Sequence, residues 1–283
     1  MAEPAAAGPA PPGTGLAPFT RARVERIALQ ALRDAGVLGA VPTPLEALRA
    51  PAGIAEVRPM PDLPQHARQT TRKLLGATWF EERAIFVERA QGPARRRFTE
   101  AHELMHALCP WHAAALREDT SAELFRDSAA ALEAEANHGA GVLIYQGALS
   151  SRLDGPPSLH EARELATAFG ASVHATLLEY VRTHPAPVAA LVAGRFPRPD
   201  GALPVWRATA SSAFDHSRDI APIAPGSPLR EVIEEARQGR SATGARVPWR
   251  DRAGAPTELV AQAHDNRHVF LVLLSAPAVA RAA

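Results

Sequence analysis

The chain has 283 residues, enough for two domains at ~100–200 residues each. With 46% hydrophobic and 22% charged residues it can bury a sizeable core, and 31 basic against 30 acidic residues leave a formal +1. That balance excludes a protein coated in positive charge to grip nucleic acid or anionic lipid. The one cysteine, Cys109, excludes an intrachain disulfide and points to a reducing compartment. The longest apolar runs, 139–149 and 269–280, fall short of the ~20 residues that cross a bilayer. With no basic, apolar leader at the N-terminus, the chain is expected to be soluble and cytoplasmic.

Residues 1–18 are rich in Pro, Ala and Gly without apolar period and read as a disordered leader. From Thr20, apolar residues recur at helical spacing through Leu32, and a short helical segment follows over 44–49. Residues 77–88, with β-branched and aromatic residues in two pieces split at 81–83, read as one or two strands. The polar loop 91–97 leads to a helix with Thr99 as the expected N-cap, stopped near Leu108 by Pro110. A second long helix covers 126–145. Gly155-Pro156-Pro157 is a boundary, and Ser158-x-x-Glu161 is a capping box opening one helix, with another over 173–182 after the turn at Gly170. His184-Pro185 marks a further boundary. Strands over 205–210, 259–264 and 269–274 then surround a helix at 229–238, so the chain as a whole reads as α+β.

The chemistry is concentrated in His102-Glu103-Leu104-Met105-His106. On a helix, positions i and i+4 share a face, so both imidazoles can present a nitrogen to one ion. Zinc bound this way lowers the pKa of water, and Glu103 is placed to take the proton and pass it to a leaving amine. Chance gives only about 0.03 such motifs in a chain with this many histidines and glutamates. The flanking Phe98, Ala101, Leu104, Met105 and Leu108 form an apolar side that buries the helix, where unpaired histidines would be costly.

Zinc needs a third protein ligand. His112 has the metzincin spacing, but Cys109-Pro110 stands where that pattern turns on glycine, and no methionine follows Met105 to make the downstream methionine turn. The alternative is a carboxylate from the next helix, the gluzincin arrangement, offered by Glu133 or Glu135. These lie about 200° apart around a helix, so only one can face the ion. Helical geometry leans to Glu133, which shares a face with the small residues Ala136 and Ala140, and leaves Glu135 open.

Arg97-Phe98-Thr99-x-Ala101-His102-Glu103-x-x-His106, followed by Glu133-x-Glu135-Ala136-Asn137, resembles the ImmA/IrrE family of metallopeptidases. The motif match is sharp over about residues 95–145; beyond it the likeness is one of layout. The resemblance implies a zincin-like, gluzincin-type peptidase domain over 19–154, a helix-turn-helix segment over 155–185 and a GAF-like sensor domain over 186–283. It implies Glu133 as the third ligand beside His102 and His106, Glu103 as the catalytic base, and Zn2+ (or Mn2+) as the cofactor. It also implies a site-specific endopeptidase whose substrate is an XRE-type helix-turn-helix repressor, cleaved to induce a DNA-damage and radiation response. Met105 departs from the family, which commonly has glycine there.

The 155–185 segment holds two Arg and three Glu, too few basic groups for a recognition helix, so a structural or substrate-docking role is expected over DNA binding. The rival reading is a DNA-binding or scaffolding regulator with a structural metal, whose activity would survive Glu103→Gln. Cys109 reads as a buried small residue, His138 and Tyr145 as packing residues, and Arg95-Arg96-Arg97 as a solvated loop. Were strand 77–88 the sheet edge beside the metal helix, a substrate strand could add to it and lie extended across the ion.

Overall fold

Prolines set where several helices of this computed structural model begin. A proline in the first helical turn has its φ pre-set, and the N–H it lacks would have had no partner there. Helix α1 (Pro18–Asp34) and helix α2 (Pro93–Leu108) both open this way. Each therefore starts earlier than Thr20 and Thr99, where apolar period and capping had placed them. The structure describes residues 16–63, 75–117, 122–147, 149, 152–153, 155–216, 221–240 and 244–277. Residues 1–15 of the expected leader lie outside them.

The chain divides into two compact units, Thr14–Ala148 with Thr167–Ser172, and Leu149–Ala166 with Val173–Ala283. In the first, strand β1 (Glu56–Pro59) runs parallel to β3 (Ala84–Val87), and β2 (Gly76–Trp79) pairs antiparallel with β3. The sheet order is β1-β3-β2, which puts β2 at one edge among the described strands. The central strand β3 is buried at all four residues, whereas β2 alternates its faces. Its Ala77 and Trp79 pack with Leu63 and Phe86, leaving Gly76 and Thr78 on the side of α2.

Helix α2 stops at Leu108 because Cys109, preceding Pro110, takes an extended backbone (φ −94°, ψ 103°). The chain turns there and enters α3 (Pro110–Arg117). Helix α4 (Ala122–Tyr145) packs along α2 and α1. Its approach to α2 is close: a Cβ at Gly139 would sit 2.4–2.8 Å from three side-chain atoms of Met105. The bulky residue at 105 thus has its small counterpart on the facing helix. Arg97, expected in a solvated loop, lies within α2, where it donates to the Thr43 carbonyl and packs against Gly170.

The second unit has a five-stranded antiparallel sheet in the order β5-β4-β8-β7-β6. Its strands are β4 (Val188–Gly194), β5 (Val205–Ala210), β6 (Ala245–Arg250), β7 (Pro256–Asp265) and β8 (Val269–Ser275). The central pair β4 and β8 is buried along its whole length. One face packs on Leu229, Val232, Ile233 and Ala236 of an amphipathic helix over Pro228–Arg237. Two further helices, α5 (Leu159–Phe169) and α6 (Val173–Thr183), precede the sheet, and α6 packs on β4 and β5, so the Pro228–Arg237 helix is α7. The Ser158 hydroxyl caps α5 as expected, accepting from the Glu161 N–H at 3.4 Å. Glu161 does not close the box directly. The Tyr180 hydroxyl stands between, donating to Glu161 (2.6 Å) and accepting the Ser158 N–H (3.0 Å).

Candidate metal centre

Helix α2 carries His102 and His106 on one face, with their Nε2 atoms 3.1 Å apart. Glu133 of α4 reaches the same point, one carboxylate oxygen 3.2 Å from His102 Nε2 and the other 3.4 Å from His106 Nε2. Two ligands of a tetrahedral zinc at ~2.05 Å stand about 3.3–3.4 Å apart; the two Nε2 atoms lie near that separation, and each faces a different oxygen of Glu133, so the three side chains converge closely enough to hold one ion. The donor set of two imidazoles and a carboxylate also suits zinc chemically. Among the described residues this is the one group of three His, Cys, Asp or Glu side chains close enough to hold a metal.

The rings are oriented from behind. His102 Nδ1 lies 3.2 Å from the side-chain oxygen of Asn137, one turn beyond Glu133 on α4. His106 Nδ1 lies 2.9 Å from Nδ1 of His112, and Nε2 of His112 lies 2.9 Å from Glu135 Oε2, which also accepts the Trp111 indole N–H at 2.7 Å. Glu133 and Glu135 therefore part as helical geometry requires, Glu133 toward the histidine pair and Glu135 toward α3. His112 belongs to the layer behind His106 rather than beside the two Nε2 atoms. The break at Cys109-Pro110 is what folds α3 back to put it there.

Glu103 is nearly inaccessible at 7% exposure. Burial pushes its carboxyl above the ordinary range, opposed by His102, His106 and the Thr78 hydroxyl. Thr78 Oγ1 on the edge strand lies 2.8 Å from Glu103 Oε2 and 3.0 Å from its carbonyl. Gly76, two residues earlier on the same face, leaves room for that carboxylate: a Cβ there would lie 2.8 Å from Oε1 and 2.4 Å from Thr99 Cγ2. Burial disfavours charge on His102, but bonds to Glu133 and Asn137 and the nearby carboxylates outweigh it and raise its pKa. Those same histidine contacts hold Glu133 far below the usual carboxylate range. Burial lowers His112, which favours its neutral ring.

The remaining candidates lie apart from the donors. Cys109 is buried, and burial raises its thiol to about 12, the state of an inert thiol. His138 pairs with Glu25 of α1 at 3.0 Å, and Tyr145 stacks edge-on against Phe169. Gly76 and Thr78 went unnoticed in the sequence; the signal for them was a small and a hydroxylated residue two apart on a strand just before the motif helix.

Residues 60–178 match the family model described as the IrrE N-terminal-like domain, Peptidase M78. The likeness to the ImmA/IrrE family is shown over this segment. A Mycobacterium tuberculosis transcriptional regulator of known structure is similar at 17% identity and a TM-score of 0.48, covering 90% of this chain and 76% of that one. No curated protein matches the chain. The family match contains the motif helix α2, the edge strand β2 and the whole of α4, so every residue of the centre lies inside it. Among the described residues, no helix is long and apolar enough to cross a membrane.

Proposed function

We propose that the chain is a site-specific zinc-dependent endopeptidase, with manganese as the alternative ion. The observation that carries this reading is the convergence of His102, His106 and Glu133 on one point beside a buried glutamate on the motif helix. His102, His106 and Glu133 would hold the ion, which when bound supplies Lewis acidity toward a carbonyl and a lowered water pKa. Glu103 takes a proton from the attacking water and returns it to the leaving amine nitrogen. Its raised affinity for protons fits that shuttle, and Thr78 fixes the carboxylate that performs it.

The edge position of β2 beside α2 suits a substrate bound as an added strand, with main-chain hydrogen bonds holding it extended. The substrate we propose is an XRE-type helix-turn-helix repressor whose cleavage induces a DNA-damage and radiation response in the cytoplasm. The reading gives the 19–154 region peptidase work, the 155–185 helix pair a docking role in place of DNA binding, and 186–283 a GAF-like sensing role. The family match supports the peptidase part of this reading.

The test incubates the zinc-loaded protein and its Glu103→Gln variant with XRE-type repressors of the same genome and records intact masses. One discrete cut by the parent and none by the variant is expected. Cleavage that survives in Glu103→Gln would overturn the assignment of the base.

A further inference from the structure

The geometry points to a hydrogen-bonded relay, Glu135–His112–His106, that fixes the tautomer and basicity of one metal-ligating histidine, making His112 and Glu135 positioning residues of the centre. The inference rests on the metal reading above and adds two residues that hold no ion themselves.

The direction of each bond follows from counting protons. A carboxylate only accepts, so His112 Nε2, 2.9 Å from Glu135 Oε2, carries the hydrogen and donates. Two ring nitrogens 2.9 Å apart, His112 Nδ1 and His106 Nδ1, share one proton between them. For His106 to offer a lone pair from Nε2 to an ion, its own proton must sit on Nδ1. It then donates to His112 Nδ1, which is left with the lone pair that a neutral ring protonated at Nε2 presents. Every donor has its acceptor, and no ring carries a charge.

The arrangement is also enclosed. His112 has no exposed surface, and Glu135 is nearly covered. The Glu135 oxygen that faces His112 also accepts the Trp111 indole N–H, and the Arg23 guanidinium lies 3.6 Å from the centre of the Trp111 ring. The negative charge of Glu135 reaches His106 through the polarised His112 ring, which makes Nε2 of His106 a stronger donor to the ion. His102 has a neutral amide partner, Asn137, in the corresponding position, so the two ligands are unequal by construction.

The test measures zinc affinity by chelator competition in the full chain for Glu135→Gln, His112→Ala and Glu133→Gln, with circular dichroism of each metal-free protein reporting its fold. Glu135→Gln keeps the shape and removes the charge, so it remains informative where His112→Ala fails to fold. Affinity about 10- to 100-fold weaker is expected for Glu135→Gln and His112→Ala. Cobalt(II) in place of zinc is expected to show shifted absorption bands in Glu135→Gln. Parental affinity in a folded Glu135→Gln, with Glu133→Gln still crippled, overturns the relay and leaves the metal centre standing. Undiminished binding in Glu133→Gln overturns the metal reading and the relay with it.

Discussion

At the scale of single residues, the centre depends on positions outside the three proposed ligands. Gly76 is the clearest. Any Cβ at that position would press on the Glu103 carboxylate and on Thr99. Since a misplacement of ~1 Å at a catalytic group costs about 100-fold in rate, Gly76→Ala is expected to lower peptide cleavage by about that factor. Its zinc content should stay at the parental value, because the ligands lie on α2 and α4; metal analysis beside a kinetic assay checks both. Glu103→Gln should be harsher, with cleavage reduced about 10²- to 10⁴-fold and zinc still bound.

At the scale of elements, the α2–α4 contact sets the distance between the histidines and Glu133. Gly139→Ala gains up to ~1 kcal/mol of helix propensity but forces Met105 aside, at a cost of about 1–3 kcal/mol. A net loss of stability is expected, visible as a lower urea midpoint, together with weaker zinc binding as the helices part. In the second unit, Tyr180→Phe removes the hydroxyl bridging Ser158 and Glu161 and should cost about 1 kcal/mol in the same measurement. Much at this level was legible in the sequence: the motif helix, its stop before Pro110, the long helix bearing Glu133 and the β2–β3 strand pair all follow from local spacing and proline chemistry. Strand β4 escaped because Val-Ala-Ala-Leu-Val-Ala-Gly is rich in alanine and glycine, which are poor strand formers, whereas the equally buried β8 is built of Val, Leu and Phe. Strand β6 escaped because Pro248 lies inside it, which its edge position permits. His112 and Glu135 were visible as candidates, but their placing depends on how α3 folds back after Cys109, a tertiary fact that no spacing rule contains.

At the scale of the whole molecule, an ion held as proposed by residues up to 31 positions apart on two helices would tie those helices together only when the chain is folded. Zinc at 100 times its dissociation constant should therefore add about 2.7 kcal/mol of stability, raising the thermal midpoint, and a chelator should reverse the shift. The proposed ion is held by His102, His106 and Glu133, with His112 and Cys109 left outside. X-ray absorption at the zinc edge of the loaded protein reads those ligands. Two imidazole rings, oxygen scattering at ~2.0–2.2 Å and no sulfur shell are the expected result. A third imidazole, or sulfur at ~2.3 Å, would contradict it.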